Sequence, residues 1–284
     1  MTDSRTVVLY HANCPDGFGG AYAAWKKFGE SAVYAPVKHG KEPPEGLDGA
    51  QVYLIDFCYS QEIMDDLLAR AGQLVVLDHH LGVKDVVEAM PEHVFDANRS
   101  GATIAWDYFH SGTATPTVLK HLEDDDLFRF ALPDTRPIVR YIGTRAFTFA
   151  EFAAFVRELE DTGTSAQLLV RLRNYSDYFD MLVAQAVERA KLVRFEGYEC
   201  YFANTHPSIT MRSAVAEKLY RKNPPLALVV SAHPEGLGVS LRSDHTVNVA
   251  KIAEKFGGNG HPGSAGFAIT WGDPLPWEII DETL

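Results

Sequence analysis

The chain has 284 residues, 46% of them hydrophobic and 23% charged, which describes an ordinary globular protein large enough for one large or two medium domains, and excludes a disordered or fibrous one. Its formal net charge of -12 argues against a broad basic track for long duplex nucleic acid but is compatible with small phosphorylated substrates that reach an acidic pocket through bound cations. Cys14, Cys58 and Cys200 are too few and too scattered for a disulfide framework or a four-thiolate zinc site. Met1–Arg5 lead towards the first strand without an apolar secretory segment, and no apolar run is long enough to span a bilayer, so the expected address is the cytoplasm, away from membranes.

In chain order, Thr6–Tyr10 is apolar and β-rich and passes through His11, Cys14 and Asp16 into Gly19–Trp25, which reads as strand, tight turn and helix. Val52–Ile55 is a second short apolar run that stops at Asp56, ahead of a helix from Gln61 to Ala71 with Ile63, Met64, Leu67 and Leu68 at helical spacing. A third run, from Val75, ends in Asp78-His79-His80. Three adjacent titratable groups after a buried strand are costly without a metal or an ion-pair network. In an open parallel sheet the strand C-termini share one edge, where residues far apart in sequence converge at a crevice.

Glu123–Asp126 contributes a run of carboxylates that repel one another unless some face water or share a cation. Ala150–Asp177 carries helical patterns broken near Gly163 and Asn174, and Tyr178–Leu192 reads as a connecting helix. A new region opens near residue 196, with a helix over Ser213–Tyr220, a turn at Pro224-Pro225 and paired strands over Leu226–Ser231 and Gly238–Leu241. Gly257–Phe267 is rich in small residues and reads as a loop whose N–H groups cradle an anion while His261 reaches a phosphate. Arg242 follows a strand and offers a donor fork to the same kind of ligand.

Imidazoles mixed with carboxylates suit borderline and hard divalent ions, with manganese ahead of calcium, and with magnesium, cobalt and zinc compatible. Two such ions a few ångströms apart bridge a water, lower its pKa and neutralise the oxygens of a phosphorus centre, which points to phosphoester or phosphoanhydride hydrolysis.

With these motifs in this order, the sequence resembles the DHH family of phosphoesterases through Asp78-His79-His80, and its later part resembles the associated DHHA1 domain through Gly257–Phe267. The resemblance implies an α/β fold: a parallel-sheet DHH domain over residues 1–185, a helical connector towards its end, and a smaller α/β DHHA1 domain over 196–284. It places the active site in the interdomain cleft. Carried over by residue, it implies metal ligands at His11, Asp16, Asp56, His79 and Asp124, with Asp56 as the bridge, Asp78 supporting the cluster and His80 facing the substrate phosphate. Asp56, Asp78, His79 and His80 would form the catalytic group, and His80, Arg99, Ser100, Arg242, Gly258, Gly260 and His261 the substrate-binding one. The implied cofactor is a pair of divalent ions, commonly Mn2+. One departure stands out. Family members carry an Asp-x-Asp pair after the first His, whereas this chain has Cys14-Pro15-Asp16-Gly17-Phe18. Either Cys14 or Phe18 takes one aspartate's place, which leaves a weaker second ion, a softer thiolate ligand, or compensation by Asp126 as the alternatives.

The activity expected is release of nucleotides from short single-stranded RNA oligomers or linear dinucleotides. A pyrophosphate, polyphosphate or nucleotide-bisphosphate phosphohydrolase and a noncatalytic nucleotide-binding protein are the competing expectations. The connector offers a surface for a homodimer.

Overall fold

The computed structural model describes residues 5–38 and 40–280, so the first four residues of the amino-terminal segment considered above lie outside the described residues. The chain divides into two compact units, Met1–Ser176 and Asp177–Leu284. The division falls inside a single helix.

The first unit is built on β1 (Thr6–His11), α1 (Pro15–Phe28), β2 (Ala32–Val37), β3 (Gln51–Ile55), α2 (Gln61–Arg70), β4 (Gln73–Asp78), α3 (Lys84–Glu88) and β5 (Glu92–Phe95). The five strands form one sheet in the order β2-β1-β3-β4-β5, every neighbouring pair parallel. Parallel strands covered on both faces read as continuous apolar runs, which is why Val52–Ile55 and Leu74–Leu77 lack polar alternation. The period of two still sorts their side chains: Val8, Ile55, Val75 and Leu77 enter one core, and Val7, Leu9, Val52, Leu54, Leu74 and Val76 the other. α2 and α3 cover the second face through Met64, Leu67 and Val87. The first face is covered by α1 and by α4 (Gly101–Phe109), α5 (Thr117–Asp126), α6 (Thr135–Gly143) and α7 (Phe149–Glu160).

α8 (Ser165–Glu188) runs without a break through Asn174, contrary to the interruption expected there. Asn174 is exposed, and its weak helix propensity costs only about 0.7 kcal/mol, less than the burial of Leu168, Leu172, Phe179 and Val183 along the same helix gains. The break near Gly163 is realised between α7 and α8.

The second unit contains β6 (Lys191–Phe195), β7 (Tyr198–Asn204), α9 (Ile209–Lys222), β8 (Leu226–His233), β9 (Gly236–Ser243), α10 (Val249–Glu254), β10 (Asn259–His261), β11 (Ser264–Thr270) and β12 (Trp277–Ile279). Its sheet order is β10-β11-β9-β8-β7-β6-β12, antiparallel except for the parallel β7–β8 pair. α10 packs on the face carrying Leu226, Leu228 and Val230, whereas α9 and the last turns of α8 pack on the face carrying Ala227 and Val229. Gly257–Phe267, expected as a loop, is mostly a hairpin in which Asn259 pairs with Gly266 and His261 with Ser264 across a Pro262-Gly263 turn. Its glycines serve strand contact: a Cβ on Gly258 would lie 2.2 Å from the Gly266 carbonyl oxygen.

Candidate active site

β1, β3 and β4 end on the same edge of the parallel sheet, so His11, Asp56 and the Asp78–His80 triplet are delivered together by register alone. Asp56 follows Ile55 with φ of 64°, a left-handed conformation rare for residues other than glycine, and its N–H still donates to the Leu77 carbonyl at 2.9 Å. That turn aims a carboxylate that is only 1% exposed at three imidazoles. His79 Nε2 lies 3.2 Å from its Oδ1, His11 Nδ1 3.4 Å from its Oδ2, and His80 Nδ1 3.9 Å from its Oδ1. Asp78 is fully buried, and its Oδ1 accepts from the His79 and His80 amides at 2.7 and 3.2 Å while standing 2.7 Å from His80 Nδ1. With Nδ1 engaged, the His80 ring, 42% exposed, keeps Nε2 for another group.

Two helix ends complete the site. Cys14 and Asp16 open α1, and both oxygens of Asp16 lie within 3.3 Å of the Ala102 amide at the start of α4. Gly101 is required there: a Cβ would stand 2.6 Å from Asp56 Cβ and 3.0 Å from Asp16 Oδ2. Gly101→Ala is therefore expected to lower stability by about 1–3 kcal/mol through overpacking. It should also weaken metal binding, as a thermal melt and a metal titration of one sample will show. A melt unchanged with metal affinity intact would mean that α4 yields without moving the carboxylates.

Asp126, the last residue of α5, brings its Oδ2 to 3.5 Å from His79 Nε2. Asp124, the expected late ligand, is placed elsewhere. Its carboxylate accepts from the Ala131 and Leu132 amides at 2.8 and 3.1 Å and from the Thr135 hydroxyl at 2.5 Å, folding the segment after α5 around itself. Arg99 and Ser100 are also committed to structure. The Arg99 guanidinium pairs with Glu123 at 2.9 Å and Asp107 at 3.0 Å, and Ser100 caps α4 while its amide donates to Glu123.

The electrostatics follow from packing charges in a buried place. Asp56 is pushed up by burial, but the His11 and His79 imidazoles against its two oxygens and the nearby His80 outweigh this and hold it at about 2. Burial works against protonated His79, yet the Asp56 hydrogen bond and the Asp126, Asp16 and Asp56 carboxylates raise it to about 9. Asp16 is raised by burial and by Asp56 and Asp126, and Cys14 by burial and by Asp56 and Asp16. Carboxylates raising one another's affinity for protons are a place where a cation replaces the protons.

The donors fit a divalent metal. Within each of three groups, namely Asp56-Asp78-His79-His80, His11-Cys14-Asp56 and Asp16-His79-Asp126, the donor atoms lie within 4.8 Å of one another. Asp56 Oδ2 and Asp78 Oδ2 are buried and accept no hydrogen bond, as carboxylate oxygens reserved for a cation would be.

A second site lies wholly within the second unit. Arg212, Arg242, Ser240, Gly260 and Ser264 are among the residues lining a cavity of about 350 Å³ on the face of β9 and β11. Arg212 Nη1 donates to Ser240 Oγ at 2.8 Å, and Arg242 Nη2 to Ser213 Oγ at 3.0 Å. Burial lowers both guanidinium pKa values, and Arg212 lowers that of Arg242 further. Gly258 and His261 flank Gly260 at this hairpin, with His261 exposed. Arg212 escaped sequence reading because on α9 it resembles any solvated helix arginine; only the packing of α9 on the sheet brings it beside Arg242.

A metal-ready cluster at the edge of a parallel sheet, and a cavity lined by two arginines in a mixed-sheet unit, are the arrangement a metal-dependent phosphoesterase needs. Residues 201–276 match the DHHA1 domain model. The chain is 26% identical over 310 residues to the uncharacterized protein R106 of Acanthamoeba polyphaga mimivirus, covering 99% of this chain and 71% of that protein. It is 26% identical over 208 residues to the cyclic-di-AMP phosphodiesterase GdpP of Geobacillus thermodenitrificans, covering 70% of this chain and 30% of that protein. In fold it is similar to the pGpG-specific phosphodiesterase PggH of Vibrio cholerae, with a TM-score of 0.54, 14% identity and 94% of each chain covered. Residues 201–276 are thus a DHHA1 domain, and the chain as a whole is similar to phosphodiesterases of this kind. No helix among the described residues is long and apolar enough to cross a membrane.

Proposed function

We propose that the protein is a metal-dependent phosphodiesterase that releases nucleotides from short RNA oligomers or linear dinucleotides, using manganese or a similar divalent ion. The observation that carries this reading is the arginine pair in the cavity of the second unit, an anion receptor in a chain whose net charge is -12 and whose first unit holds the metal-ready cluster. The relative GdpP, named for a cyclic dinucleotide, supports a substrate of few nucleotides.

Divalent ions bound at such donors supply Lewis acidity and lower the pKa of water. The chain's own residues do the rest. Asp56 belongs to two of the three donor groups and so sets their spacing. Asp78 fixes the His80 ring through Nδ1, leaving Nε2 to donate to a phosphate oxygen. Arg212 and Arg242 hold a phosphate of the substrate by charge-assisted hydrogen bonds.

The segment after Asp126 supplies a surface for a base. Phe128 has φ of 53°, Phe130 φ of 47°, and the Phe128 ring is 79% exposed two residues from a cluster member. A strained backbone that keeps an aromatic ring in water suits stacking, which is worth about 1–3 kcal/mol per base. Phe128→Ala is expected to raise KM for dinucleotides by roughly 5- to 150-fold and to leave metal content unchanged; an unaltered KM would dismiss the ring from the substrate.

The direct experiment incubates the purified protein plus Mn2+ with short RNAs, linear and cyclic dinucleotides, adenosine 3′,5′-bisphosphate and polyphosphate, and identifies products by mass. Mononucleotides from short RNAs or linear dinucleotides support the proposal. Phosphate released from polyphosphate alone replaces it with a phosphoanhydride hydrolase, and saturable nucleotide binding without turnover replaces it with a binding protein.

A further inference from the structure

We propose that Cys14 is a metal ligand, and that the His11-Cys14-Asp56 group is a nitrogen, sulfur and oxygen site for a softer divalent ion than the Asp16-His79-Asp126 group beside it. This rests on the metal dependence proposed above and specifies which ion goes where.

The first observation concerns the missing carboxylate. Phe18, which follows Asp16 in the position of the second aspartate, cannot ligate: its ring is stacked on Phe149 at 5.1 Å and edge-on to Phe152 at 5.3 Å and Tyr10 at 6.2 Å. Cys14 lies on the other side of Pro15, and its sulfur joins a ring nitrogen of His11 and a carboxylate oxygen of Asp56 with all three within 4.8 Å. A small side-chain adjustment brings donors this close to the roughly 2.0–2.3 Å that one ion requires of each. The second observation is independent of the thiol: Asp56 Oδ2, in a residue only 1% exposed, accepts no well-directed hydrogen bond, with the His11 ring nitrogen of the same group 3.4 Å away. Such an oxygen needs a partner, and a cation shared with the sulfur is one. The remaining cysteines are separate from it, Cys58 in the core beneath the sheet and Cys200 in the second unit.

The two groups then differ in chemistry. A thiolate with an imidazole selects zinc, cobalt or iron(II), whereas two carboxylates with an imidazole accept manganese or magnesium. The expected holoprotein carries unlike ions.

Cobalt reads this directly. Full-length protein stripped with chelator is titrated with Co2+ while bound metal is counted by elemental analysis. A thiolate-to-cobalt charge-transfer band in the near ultraviolet is expected, saturating at one equivalent, absent from Cys14→Ser and kept in Cys200→Ser. The serine variant should bind zinc roughly 10- to 100-fold more weakly, on the scale of losses at a metal's supporting residues, with manganese affinity nearly unchanged. Should Cys14→Ser not fold, the wild-type band together with zinc protection of Cys14 from alkylation, mapped by mass, carries the test. Cobalt bound without the band, or a band that survives in Cys14→Ser, overturns the thiolate ligand. Absence of bound cobalt in the wild type overturns the metal reading beneath it as well.

Discussion

Asp56→Asn is expected to lower turnover about 10³-fold, which corresponds to roughly 4 kcal/mol of lost transition-state stabilisation, and to reduce bound metal. The reason is position: Asp56 faces His11, His79 and His80 at once, and the amide keeps its shape while removing its charge. The same variant has a signature without metal. In the stripped wild-type protein, His79 is raised from about 6.5 to about 9, so the stability it contributes is present in full below pH 6.5 and is lost as pH rises through 9. Melting temperature should therefore fall across that window in the stripped wild type and fall less in Asp56→Asn. A variant with wild-type rate and metal content would remove Asp56 from the centre of the site.

Arg242→Ala is expected to raise KM for phosphorylated substrates by about 10- to 150-fold, the worth of a charged hydrogen bond of roughly 1.5–3 kcal/mol, with metal content intact. Arg212→Ala should behave alike. Arg212→Lys should not restore binding, because a point charge does not reproduce the guanidinium fork. Steady-state kinetics on linear dinucleotides distinguish this from a folding defect, since a damaged fold lowers kcat with KM and shifts the melt. Unchanged KM in both alanine variants would leave the cavity without a role in catalysis.

Much of the first unit is legible in sequence because its signals are local. Apolar runs that stop at His11, Asp56 and Asp78 announce buried parallel strands, and a shared edge follows from parallelism. What is not legible depends on rotation and partnership. Asp124, Asp125 and Asp126 are the same side chain at about 100° intervals round one helix, so sequence cannot tell which one faces the imidazoles. The amides of Ala131 and Leu132 claim Asp124, and Asp126 takes the place at His79. Arg212 needs the contact between α9 and the second sheet to acquire meaning. The hairpin over Asn259–Thr270 was signalled by Pro262-Gly263, a turn dipeptide that the density of glycines obscures. The division inside α8 leaves no mark because a helix that changes partners keeps its periodicity.

The scattering of the donors along the chain has a consequence for maturation. Residues 11, 14, 16, 56, 79 and 126 become neighbours only after three parallel crossovers and the docking of α5, and none of the three donor groups is complete within one short segment. The unfolded polypeptide thus presents only incomplete donor sets, Asp78-His79-His80 the fullest of them, with less claim on a cation than the folded edge. Loading must come after the sheet has assembled, and the ion acts as a latch on a finished structure rather than a seed for it. Chelation should accordingly speed the opening of this edge and leave the rate of collapse untouched.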